Sequence, residues 1–169
     1  MRSSAASDVY KRQDDFHAKV NSNFNKNVSF IENGDSIKTL QELLVKFKGK
    51  PILVDFWFST CGPCVSNFQR FGKDLEKFTV QNDITLLCVS IDKEQEQWHT
   101  AIKYYKIGGK HIKACQSLHE DIYKTHNVHI FPHYMLVGSD GKILINRLKD
   151  LSEHDNFYNQ IYDALAKEE

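Results

Sequence analysis

From Ile52 to Phe58 the chain reads I-L-V-D-F-W-F, nearly all apolar and without alternation. That pattern predicts a strand covered on both faces. Ile84 to Ile91, I-T-L-L-C-V-S-I, predicts a second. Between them Val65, Phe68, Phe71, Leu75 and Phe78 recur on one helical face, and Gln81-Asn82-Asp83 ends that helix. Upstream, Val28 to Ile31 and Ser36-Ile37 flank Asn33-Gly34, which predicts a small hairpin. Thr39 with Glu42 forms a capping box, and Leu40, Leu43, Leu44 and Phe47 carry a helix to about Lys48. Trp98, Ile102 and Tyr105 space a helix from about Glu94 to Lys106, ended by Gly108-Gly109. A short strand at His111 to Ala114 and a helix through Leu118, Ile122 and Tyr123 follow. Tyr134–Val137 and Lys142–Asn146 are expected to pair across Ser139-Asp140-Gly141. Ser152 is expected to cap a last helix that turns Phe157, Ile161 and Leu165 inward. Strands alternating with helices, then a hairpin and a closing helix, predict an α/β fold: a mixed central sheet with helices on both faces.

Composition narrows the class. With 169 residues there is room for one domain with a substantial core. Lys plus Arg equals Asp plus Glu, 22 each, which argues against binding nucleic acid or a membrane surface through bulk charge. No apolar run reaches the ~18 residues of a membrane-spanning helix. Ser3 to Gln13, S-S-A-A-S-D-V-Y-K-R-Q, resembles one reading frame of an adapter used to prepare sequencing libraries. On that expectation residues 1–13 are a non-native or disordered tail and the native start is lost. Residues 14–27 are then an N-terminal extension, and residues 28–169 the folded domain. Absence of a signal peptide therefore carries no information about compartment.

Cys61-Gly62-Pro63-Cys64 changes the picture most. Cys61 follows a predicted buried strand and opens a predicted helix. There, unsatisfied N–H groups and a partial positive charge favour a thiolate. Its pKa is expected below the free value of ~8.5. Pro63 suits an early helical position, and Gly62 allows another chain to approach the sulfur. Cys64, one turn in, is placed to resolve a mixed disulfide. A zinc site and an inert buried pair remain alternatives. Zinc usually takes four ligands, and Cys88 and Cys115 stand apart.

V-D-F-W-F-S-T-C-G-P-C resembles the active-site segment of thioredoxin-fold proteins, and Ile130-Phe131-Pro132-His133 resembles their cis-proline loop. The expected hairpin and the added helix around Trp98 resemble the TlpA-like branch: extracytoplasmic, often membrane-anchored, bacterial thiol–disulfide oxidoreductases. The resemblance implies a thioredoxin-like fold, with Cys61 the exposed nucleophile and Cys64 the buried resolving thiol. Trp57 would pack beside them. Pro132 would be cis, and the Phe131 backbone would pair with a substrate strand. Asp55 matches the family's buried acid and would take the Cys64 proton. Its other reading is a hydrogen-bonded polar residue at a strand edge.

The chain also departs from the family pattern. Thr60 stands where thioredoxins have tryptophan, and Cys88 at the position of a lysine near the buried acid. Asn67 replaces a common glutamate, and His133 replaces threonine after the cis-proline. His133 would either stabilise the Cys61 thiolate or sit in the rim. His126, His129 and His133 cluster in sequence without a carboxylate at ligand spacing, so no metal site is expected. Cys88 reads as a small core residue, and Cys115 as an inert thiol or part of a second disulfide.

The expected activity is reduction of disulfides in protein substrates outside the cytoplasm, by a monomer fed by a membrane or soluble electron donor. No cofactor is expected, since the dithiol is the redox group. Rival readings are a cytosolic thioredoxin-like reductase and a thioredoxin-fold binding module with little turnover.

Overall fold

A computed structural model describes residues 4–168. The strands are β1 (Val28–Phe30), β2 (Ile52–Trp57), β3 (Thr85–Ser90), β4 (Gly109–Lys113), β5 (His133–Val137) and β6 (Ile143–Ile145). They form one sheet in the order β1-β4-β3-β2-β5-β6. Strands β1 to β4 pair in parallel, and β5 runs antiparallel between β2 and β6. The helices are α1 (Ser4–Val20), α2 (Leu40–Val45), α3 (Gly62–Gln81), α4 (Gln95–Tyr105), α5 (Gln116–Lys124) and α6 (Asp155–Leu165).

Every residue of β2 is buried, as a central strand requires. Its pleat sends alternate side chains to opposite faces. Leu53 and Trp57 join Phe68 and Leu75 of α3, Trp98 and Ile102 of α4, and Phe157 and Ile161 of α6. Ile52, Val54 and Phe56 join Leu40 and Leu43 of α2 and Leu118 and Ile122 of α5. The sheet is therefore sandwiched between three helices and two. This is the mixed α/β architecture that the pattern predicts and the thioredoxin-like fold that the resemblance implies.

Three local expectations fail. There is no hairpin at Asn33-Gly34. Asn33 takes the left-handed conformation (φ 54°) and opens a 3-10 turn, Gly34–Ser36. Strand β1 pairs instead with β4, Val28 opposite Gly109, and the Ile31 N–H donates to the His111 carbonyl at 2.9 Å. Ile37 is then free to bury itself (3% exposed) rather than extend a strand. Ser152 does not cap α6: it sits inside a 3-10 turn, Leu151–Glu153, whose own cap is the Asp150 carboxylate. Finally, residues 4–13, expected as part of a non-native or disordered tail, are helical rather than disordered, as the first part of α1. That helix reaches the domain at its C-terminal half, where the Phe16 ring lies 5.6 Å from that of Tyr104 and Lys19 sits over the same ring.

Candidate active site

The end of β2 delivers the chain into a short turn, and α3 starts at once. Cys61 is the N-cap of α3, and the Cys64 N–H donates to its Sγ at 3.3 Å. Pro63 occupies the first helical turn, where it forfeits no hydrogen bond. Cys61 and Cys64 are joined as a disulfide, with Cα atoms 5.3 Å apart. Gly62 and Pro63 between them are exposed. A Cβ added to Gly62 would meet nothing within 4 Å, so the surface beside the disulfide is open.

The expected contrast between an exposed Cys61 and a buried Cys64 is absent. Cys61 is 4% exposed and Cys64 1%. Both belong to the apolar cluster that Trp57 and Phe68 build, and Phe58 and Phe131 pack against its border. Bonding to Cys64 holds the Cys61 sulfur over the helix start rather than out in water. Trp57 is fully buried, its ring edge-on to Phe68 at 5.1 Å.

The Phe131–Pro132 peptide is cis. Phe131 is half-buried, its ring 5.5 Å from that of Phe58 on the turn leading to the disulfide. The cis-proline loop thus lies against the approach to Cys61. His133, however, does neither thing expected of it. It pairs with Phe56 in register, with the rings 5.6 Å apart, and so faces the α2–α5 side of the sheet. It is 2% exposed, and its Nε2 lies 2.7 Å from the Asn146 carbonyl. Burial lowers its pKa, so a charged imidazolium is disfavoured there. It is neither a rim residue nor a partner for a Cys61 thiolate.

Asp55 lies between Leu53 and Trp57 on the disulfide side of β2. It is 1% exposed, and neither carboxyl oxygen has a hydrogen-bond partner. Burial, and secondarily the Asp150 carboxylate, push its pKa up to about 8. Its strand neighbours are Cys88 on β3 and Tyr134 on β5. Both titrate higher than usual, first through burial and then through the Asp55 charge. No lysine neighbours the acid along the strands; Cys88 occupies that place.

Asn67 stood in the sequence only as a departure from the family pattern, and three further polar residues, Asp92, Tyr134 and Asp150, escaped the sequence reading. Asn67, one turn beyond Cys64, donates through Nδ2 to the Tyr134 hydroxyl at 3.2 Å and to Asp150 at 3.4 Å. Asp92, just past β3, accepts from the Ser59 N–H at 3.0 Å, the Ser59 hydroxyl at 2.6 Å and the Ser90 hydroxyl at 2.7 Å. It ties the turn before Cys61 to the sheet. Tyr134 reads in sequence as one more apolar strand residue, and Asp92 and Asp150 as ordinary loop acids. The remaining histidines of the sequence cluster diverge: His126 contacts Asp121 at 3.5 Å, and His129 stacks edge-on against Tyr123 at 4.0 Å. Cys88 and Cys115 are free thiols, Cys88 buried and Cys115 half-buried.

A family model described as Thioredoxin-like matches residues 49–143, from before β2 into β6. Among solved structures, the thioredoxin domain of a thiol-disulfide oxidoreductase from Bacteroides vulgatus is 31% identical. That alignment covers 71% of this chain and 82% of that one, with a TM-score of 0.60. A thiol:disulfide interchange protein from a Bacteroides species is 30% identical over 70% of this chain and 74% of its own, with a TM-score of 0.59. Among curated proteins, a chloroplastic thioredoxin-like protein, CITRX, of Solanum tuberosum is 33% identical over 61 residues, 36% of this chain. The match spans about a third (33%) of that relative's length. With the Cys61–Cys64 disulfide at the start of α3, a cis-proline loop beside it and a matched stretch that contains both, the chain belongs to the thioredoxin-like family.

Proposed function

We propose that this protein is a thiol–disulfide oxidoreductase of the TlpA-like kind that reduces disulfides in protein substrates. The observation that carries this is the Cys61–Cys64 pair at the start of α3, bonded in the structure and bordered by open surface at Gly62 and Pro63. In the reduced protein, the α3 N-terminus stabilises a Cys61 thiolate. That thiolate attacks a substrate disulfide and forms a mixed disulfide. Cys64 then attacks Cys61, giving the bonded pair and releasing the substrate as a thiol. Two electrons pass from the dithiol to the substrate.

Asp55 serves as the proton acceptor for Cys64, because an orphaned, buried carboxyl with its pKa near neutrality holds or gives up a proton readily. Trp57 packs behind the pair. Gly62, Pro63, Phe131 and Pro132 form the surface on which an extended substrate segment lies, the Phe131 backbone pairing with it. The dithiol needs no cofactor, and a separate electron donor restores it. The Bacteroides relatives, a thiol-disulfide oxidoreductase and a thiol:disulfide interchange protein, support the chemistry. An extracytoplasmic setting and a monomeric state rest on the TlpA-like resemblance. Among the described residues no helix is long and apolar enough to cross a membrane.

Equilibration of the Cys61–Cys64 pair with glutathione tests the direction. A potential near ~−270 mV is expected of a reductase, and one near ~−120 mV would make the protein an oxidant instead. Cys64→Ser should accumulate a mixed disulfide with substrate. Failure of the wild-type pair to cycle at all would favour a binding module.

A further inference from the structure

Helix α3 turns Phe68 and Leu75 into the core. Gly72 lies four residues after the first and three before the second, so it shares their face. It has no side chain to fill that place. A Cβ built on it meets only the Phe68 Cβ, at 4.0 Å. Beneath it is a cavity of about 360 Å³. Asp55 and Cys88 line its sheet side and the Ile107-Gly108 segment its far side, while the exposed Lys19, Lys73 and Lys106 mark where it opens to solvent. A space of that size, with polar groups on its walls, holds several waters.

We propose that the cavity left by Gly72 is the route by which Asp55 exchanges its proton with solvent during turnover. This deepens, and rests on, the reading of Asp55 as the acceptor of the Cys64 proton. In the resolving step the Cys64 thiol proton goes to the Asp55 carboxylate. The Cys64 sulfur bonds to Cys61, the Cys61–substrate bond breaks, and the substrate sulfur leaves as a thiolate that takes a proton from bulk water. At neutral pH the buried Asp55 carboxyl holds a proton, so it must release that proton to solvent while the mixed disulfide stands before it can take the one from Cys64, and must release it again before the next cycle. A docked substrate covers the Gly62–Pro63 surface, whereas the cavity is lined by Gln69 and Lys73 of α3 and Tyr104 and Tyr105 of α4, and neither Gly62 nor Pro63 is part of its wall.

Asp55 is faced by Cys88 from β3, Tyr134 from β5 and Asp150 from the segment before α6. Across the cavity stand Tyr104 and Tyr105 of α4 and the three lysines. Glu76 of α3 acts on Cys88, and the buried His111 of β4 lies beyond it. None of these hydrogen-bonds the Asp55 carboxyl, so water is the partner left to carry its proton.

Two readouts test the route in a Cys115→Ser background. The first is the rate at which methyl methanethiolsulfonate modifies Cys88 in the oxidised protein, which reports whether the cavity is open. The second is the lifetime of the mixed disulfide with a disulfide-bonded peptide, followed by acid quench from pH 6 to 9. Gly72→Leu should slow Cys88 modification and lengthen the lifetime about 10-fold at neutral pH, with the pH midpoint displaced and the Cys61 attack rate unchanged. Gly72→Ala should fall between, and it carries the test if the larger side chain prevents folding. The route is overturned if filling the cavity protects Cys88 but leaves the lifetime at its wild-type value while Asp55→Asn lengthens it. If Asp55→Asn also leaves the lifetime unchanged, the acceptor role itself falls.

Discussion

Asp92 shows how much a single loop residue does for this site. It is 8% exposed and gathers two hydroxyls and one backbone N–H around its carboxylate. The turn that presents Cys61 therefore hangs from the end of β3. Removing the carboxylate strands the Ser59 N–H, and an unsatisfied buried donor costs about 1–3 kcal/mol. Asp92→Ala should lower stability by about 3 kcal/mol in urea unfolding and move the potential of the Cys61–Cys64 pair, since the turn that orients Cys61 loosens. Unchanged stability would mean that the turn is held by α3 alone. The cysteines, the cis-proline and the buried acid were all legible in the sequence, because each is tied to a short motif. Asp92 was not: Ser59, the partner that ties it to the turn, lies 33 residues upstream, and only the pairing of β2 with β3 brings the two together. The orientation of His133 was lost for a related reason. Which face a residue takes beside a cis-proline depends on strand register, and the register with Phe56 turns it away from the disulfide.

At the scale of elements, the signals that held were those in which local chemistry and tertiary packing agree. Thr39 caps α2 with a complete capping box, its hydroxyl accepting the Glu42 N–H at 3.2 Å. The same helix buries Leu40, Leu43 and Leu44. Thr39→Ala should cost about 1 kcal/mol in chemical denaturation and leave the disulfide's potential unchanged, because α2 lies on the far side of the sheet. A shift in potential would reveal coupling through the sheet that packing does not explain. Asn33-Gly34 misled because the dipeptide favours left-handed backbone wherever it occurs, in a hairpin or at a 3-10 turn. The choice was made by β4, whose residues pair with those of β1 from 81 positions along the chain (Val28 with Gly109, 109 − 28) and claim its edge. Ser152 misled similarly. Asp150, two residues earlier, makes the stronger acceptor and captures both its N–H and its hydroxyl, at 2.9 and 2.6 Å.

For the whole molecule, the buried titratable groups set opposing dependences of stability on pH. Asp55 has its pKa raised from 3.8 to about 8 in the folded state. Between those values the folded protein holds a proton that the unfolded chain has released, so stability falls as pH rises. His111 is fully buried, and burial lowers its pKa from 6.5 to about 4. Between those values the unfolded chain binds the extra proton, so stability rises with pH. His133 and His99, both lowered chiefly by burial, act in the same sense as His111. Below pH 6.5 the histidines offset Asp55. Above it their contribution is complete and Asp55 acts alone, at up to about 1.4 kcal/mol per pH unit. The oxidised protein should therefore be most stable near about pH 6 and lose about 2 kcal/mol by pH 8. Asp55→Asn should abolish the decline on the alkaline side and keep the one on the acid side. Urea midpoints across this range, for the wild type and the variant, measure both limbs. A wild-type stability that continued to climb from pH 6.5 to 8 would mean that the Asp55 carboxyl is ionised at neutral pH in the folded protein. The acid at the centre of the sheet would then be too weak a base to hold the Cys64 proton.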